Sequence, residues 1–68
     1  MAISNQTNGV YVERLAFIEG LSREFLALTG RGVYVFFNPL DLDVLFDKYL
    51  SLGMSIRAFA RQCVRNLT

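Results

Sequence analysis

Between Val10 and Leu28 the apolar positions recur with a helical period. Val10, Phe17, Ile18, Leu21, Phe25 and Leu28 fall on one arc at about 100° per residue. Leu15 and Leu26 widen that arc, and Glu13, Arg14, Glu19, Arg23 and Glu24 take the opposite side. Glu19 and Arg23 make an i,i+4 pair in the favourable order. Gly30, after Leu28-Thr29, is a helix stop. The pattern predicts a helix over 10–29, in which Gly20 costs about 1 kcal/mol against Ala unless a close neighbour needs the space. Residues 1–8 are polar and aperiodic and read as a flexible arm, which leaves one domain over 9–68. At the junction, Gly9-Val10-Tyr11-Val12 repeats at Gly32-Val33-Tyr34-Val35. Two readings stand there: two parallel strands joined by the helix, or a helix that begins near Asn8.

Val33 to Phe37 is continuously apolar, β-branched and aromatic, bounded by Gly32 and by Asn38-Pro39. That run predicts a strand over 33–37, buried on both faces. Asn38 fits an N-cap with Pro39 at N1 and Asp41 at N3, opening a helix over 39–52 that Gly53 ends. Leu42, Leu45, Phe46, Tyr49 and Leu50 form its core face, while Leu40 and Val44 lie opposite and predict a second neighbour. Ser55 caps a third helix over 55–66, with Ile56, Phe59, Ala60, Cys63 and Leu67 as its apolar stripe. The expected class is therefore α+β, with three helices and one strand. A lone strand leaves its backbone groups unpaired, and the most economical partner is the same strand of a second copy. Val33, Tyr34, Val35, Phe36 and Phe37 are thus the expected interface of a homodimer.

Composition supports association. Of 68 residues 53% are hydrophobic, including six Phe and three Tyr, more than so small a sphere can hide. Net charge is +1, but its distribution is uneven. Arg14, Arg23 and Arg31 balance Glu13, Glu19 and Glu24, whereas the last helix holds Arg57, Arg61 and Arg65 and no acid. That helix is a basic element on a near-neutral body.

Catalytic chemistry finds little support. Histidine is absent, which removes the commonest general base and metal ligand. The single thiol, Cys63, sits on an apolar stripe, where a small core residue is the ordinary reading. Asp41, Asp43 and Asp47 lack the glycine-bearing loop that wraps calcium, and they suit the positive end of the helix dipole. No phosphate-cradling glycine loop occurs. The expectations are no enzyme, no cofactor and no metal. The N-terminus lacks a signal-peptide pattern and no apolar run reaches the ~20 residues of a membrane span, so a cytoplasmic protein without a membrane partner is expected.

Two binding signals remain. Arg57, Arg61 and Arg65 repeat every four residues, which fits either a solvated face or a row of phosphate contacts. In addition, the order strand, Pro-led helix, Gly turn and Ser-led helix, with Gly53, Ser55, Phe59, Ala60, Arg61, Cys63, Val64 and Leu67 at their places, resembles the ribbon–helix–helix DNA-binding proteins over residues 32–68. The resemblance implies a homodimeric transcription regulator whose paired strands enter the major groove. It also implies a phosphate held at the start of the last helix, near Met54 and Ser55. Because the strand is apolar on both faces, base reading falls to Arg31 and Asn38 at its ends. The alternative is a small adaptor or inhibitor that docks on a partner protein through apolar surface, without binding DNA.

Overall fold

The computed structural model describes the backbone of residues 2–67 and the side chains of residues 13–67. It contains three helices, α1 (Ala2–Thr29), α2 (Pro39–Leu52) and α3 (Ile56–Leu67), with a single turn of 3-10 helix at Val33–Val35 between the first two. At 1.5 Å per residue α1 is about 42 Å long. Its backbone takes in residues 2–8, where an arm was expected, and the Gly9-Val10-Tyr11-Val12 segment, which is helical rather than a strand.

Phe17, Leu21 and Phe25 succeed one another at four-residue steps along α1 and form its buried seam. They meet Leu42 and Phe46 of α2 and Phe59, Ala60 and Cys63 of α3. Aromatic contacts divide the core into two clusters. Phe17 packs on Phe46, Tyr49 and Phe59 with ring centroids 5.2, 4.9 and 6.0 Å apart. Two turns along, Phe25 meets Phe36 and Phe37 at 5.6 and 5.9 Å. Leu21, fully buried, lies between the clusters. The expected apolar arc of α1 was too wide, since Leu15, Leu26 and Leu28 are exposed.

The expected α+β architecture does not form: no strand occurs among the described residues, and Val33–Phe37 is a turn. The reason lies in which side chains are buried. Val33 is fully buried, Phe36 and Phe37 pack on Phe25, and Tyr34 and Val35 face outward, 65% and 60% exposed. A spacing of three between buried positions suits a 3-10 turn, whereas a strand alternates with period two. The turn also closes its own hydrogen bonds. Val35 N–H donates to the Gly32 carbonyl at 3.2 Å, and the Phe36 and Phe37 amides both donate to the Val33 carbonyl at 2.9 Å. Val33 N–H donates to Ser22 Oγ at 3.4 Å, which ties the turn to α1. With four of its five amides bonded locally and its backbone wound into a turn, the segment presents no strand edge for a second strand. The strand-paired homodimer, with Val33, Tyr34, Val35, Phe36 and Phe37 as its interface, is therefore corrected.

The other helix boundaries follow local chemistry. Asn38 and Asp41 form a reciprocal capping box: Asp41 N–H donates to Asn38 Oδ1 at 2.8 Å, and Asn38 N–H donates to Asp41 Oδ2 at 3.2 Å. Gly53, at φ 65°, ends α2 in the left-handed conformation that only glycine adopts without strain. Arg14 pairs with Asp43 and links α1 to α2.

Candidate functional site

The residues expected to contact DNA occupy three places. On α3, the helical repeat sets Arg57, Arg61 and Arg65 on an exposed face. Arg57 Nε lies 3.7 Å from Glu24 Oε1 of α1, so part of that charge is compensated. Ser55 and Met54 precede the helix: Ser55 Oγ accepts the Ala58 amide at 3.2 Å, and Met54 is half-buried against the core. One of the free amides expected to hold a phosphate is thus already capped by a side chain. Arg31 and Asn38 lie on the α1–α2 connection. Arg31 N–H donates to Thr29 Oγ1 at 3.1 Å, and the Asn38 side chain is held in its capping box. Without a ribbon, these two do not flank a base-reading strand.

The side chains point instead to a groove that the sequence did not mark. It runs between α2 and α3 and is walled by Phe37, Leu45, Leu52, Phe59, Cys63 and Leu67, with Lys48, Gln62 and Asn66 also lining it. Leu45 and Leu52 stand seven residues apart on α2 and form one wall. Leu52 and Leu67 are exposed at its mouth. Cys63 is buried in its floor, where desolvation pushes the thiol above its ordinary range while the Lys48 ammonium pulls it down. A raised pKa keeps the thiol protonated and poorly nucleophilic at neutral pH. The groove measures about 200 Å³. Small-molecule sites usually span ~300–1,000 Å³, so this one suits one or two side chains of a docked segment better than a free ligand. The sequence placed Leu45 and Leu67 on core faces, where full burial was expected, but their lateral position leaves them only partly covered.

Two further hollows are lined by described residues. One of about 480 Å³, with Ala16, Gly20, Phe46, Tyr49, Leu50 and Ile56 among its lining, also reaches Glu13, next to the part of α1 whose side chains lie outside the described residues. The other, about 190 Å³, lies between Leu15, Ile18, Tyr34, Pro39 and Leu42, with Arg14 at its edge. Among the described residues no group of His, Cys, Asp and Glu side chains is placed to hold a metal ion, and no helix is long and apolar enough to cross a membrane. Asp41 caps α2, Asp43 pairs with Arg14 and Asp47 is exposed, so the three aspartates do not converge. Comparison with known proteins finds no matching family model, no similar curated protein and no similar solved structure.

Proposed function

We propose that this chain is a small helical protein-binding module that receives an amphipathic segment of a partner in the groove between α2 and α3. One observation carries the reading: six apolar side chains from α2, α3 and the α1–α2 connection converge on a groove that stays open. Helix-in-groove docking uses such a surface, and a groove of this volume seats one or two apolar anchors of the incoming helix, at i and i+3 or i+4. Gln62 and Asn66, one turn apart on the rim, supply hydrogen-bonding groups for register. A photo-crosslinking residue in place of Gln62 tests the reading in host lysate. The expected result is a discrete adduct that Leu67→Glu abolishes while circular dichroism stays helical. Labelling that is unspecific, or indifferent to Leu67→Glu, removes the proposal.

A second reading rests on a separate observation, the exposed arginines of an α3 that carries no acid. In it, α3 lies along a nucleic-acid backbone and makes sequence-independent phosphate contacts, without a ribbon in the groove. Such binding weakens with salt by a log–log slope of about 0.9 per contact, so three contacts give a slope near 2.7. A titration with random duplex at low and high salt decides it, and no binding at low salt removes it.

A further inference from the structure

The groove between α2 and α3 has a charge of one sign. Among the described residues that line it, Lys48 alone is charged, and no carboxylate reaches it. The Lys48 ammonium acts on the floor, where its field opposes the desolvation of the Cys63 thiol. Among the described residues Lys48 has no carboxylate partner, since the ion pairs join Arg14 to Asp43 and Arg57 to Glu24.

The acids of the surrounding elements are placed elsewhere. On α2, Asp41 is held in the capping box and Asp43 pairs with Arg14. Asp47 precedes Lys48 by one residue, which turns it about 100° further round the helix, away from Leu45 and Leu52. On α1, Glu13 lines a different hollow, Glu24 faces Arg57, and Glu19 is not in the groove's lining. The third wall, α3, has no acid, and its Arg61 and Arg65 each stand one residue from the rim at Gln62 and Asn66.

Building on the protein-binding reading, we propose that the docked segment is an acidic amphipathic helix. Its one or two apolar anchors enter between Leu45, Phe59 and Leu67, and an Asp or Glu beside them pairs with Lys48. A lysine on such a wall lays its stem along apolar surface and keeps the ammonium at the mouth. A neutral occupant takes water from that ammonium and returns nothing, whereas a carboxylate compensates it. The same charge rejects basic amphipathic segments. Nucleic acid shares the negative charge, but a phosphate backbone offers nothing to fill a groove of about 200 Å³ walled by leucine and phenylalanine.

A displayed library of helical peptides, with leucines at i and i+4 and randomised neighbours, tests the proposal by panning on the full chain. Peptides are retained only when they fail to bind a Leu52→Gln, Leu67→Gln double variant, which loses the apolar mouth without gaining charge and keeps its helical circular dichroism. The retained peptides are expected to be enriched in Asp or Glu beside the leucines, and panning on Lys48→Glu should enrich Lys or Arg there instead. Lys48→Gln should weaken a retained peptide about three- to tenfold, and replacing that peptide's acid by its amide should then cost nothing further. Retained peptides that are neutral or basic beside the leucines overturn the acidic occupant and leave the groove reading standing, as does an acid preference that Lys48→Gln does not change. The absence of any peptide that depends on Leu52 and Leu67 removes the groove reading, and the acidic occupant with it.

Discussion

Gly20 and Gly53 are both glycines at or within helices, and the surroundings give them opposite roles. A Cβ on Gly20 would sit 3.5 Å from Ile56 Cγ1, an ordinary contact. Nothing therefore requires glycine there, and Gly20→Ala should stabilise the fold by roughly 0.5–1 kcal/mol, raising Tm by a few degrees. Gly53 has φ 65°, so Gly53→Ala should cost about 1 kcal/mol or more although its Cβ would meet nothing. Thermal melts of the two variants should move in opposite directions. At Cys63, burial raises the folded-state pKa. Between the unfolded and folded values the folded chain holds a proton that the unfolded chain has lost, so this group's contribution is complete below about pH 8.5 and falls as pH rises. The stability of Cys63→Ala should accordingly decline less than that of the native chain between neutral pH and pH 10, as read by urea unfolding.

Among the elements, α2 and α3 were legible because their signals are local. Asn38-Pro39 with Asp41, Gly53 and Ser55 each act on backbone groups within about one turn, and the observed helices match the expected ranges to within a residue. Asn38→Ala removes one side of the capping box and should lower stability by about 1 kcal/mol. The turn at Val33–Val35 behaves differently because its conformation depends on α1. Gly32 lies where a Cβ would come within 2.8 Å of Ser22 Oγ, the same hydroxyl that accepts the Val33 amide. Gly32→Ala should displace that hydroxyl and strand a backbone donor, at a cost of about 1–3 kcal/mol. Chemical denaturation checks it, and Ser22→Ala should show a smaller loss of the same origin.

For the whole molecule of 68 residues, stability rests on a core to which the described residues contribute nine buried side chains. Domains of this size hold roughly 3–10 kcal/mol, and truncating a buried Phe costs about 3–5 kcal/mol. Phe25→Ala removes the ring on which Phe36 and Phe37 pack, so it should leave the chain largely unfolded at 25 °C, seen as loss of helical circular dichroism. Surface ion pairs contribute far less: Arg14–Asp43 and Arg57–Glu24 are partly exposed and each is worth about 0–1 kcal/mol. Much apolar surface remains outside, at Tyr34, Leu40, Val44, Leu52 and Leu67. The high apolar content signalled that surplus, but the sequence assigned it to a strand pair.

The residue order by itself determined where α2 and α3 begin and end, a broad apolar arc on α1 that contains the buried Phe17, Leu21 and Phe25, and the basic character of α3. Each depends on a period along one helix or on a cap within four residues. The tertiary structure decided the rest. Whether Val33–Phe37 extends or turns depends on Phe25 and Ser22, which precede it by eight or more residues. Whether Leu45, Leu52 and Leu67 lie in the core or open a groove depends on the angle between two helices. Neither quantity is written in a local pattern, because burial is settled by what a side chain meets across the fold.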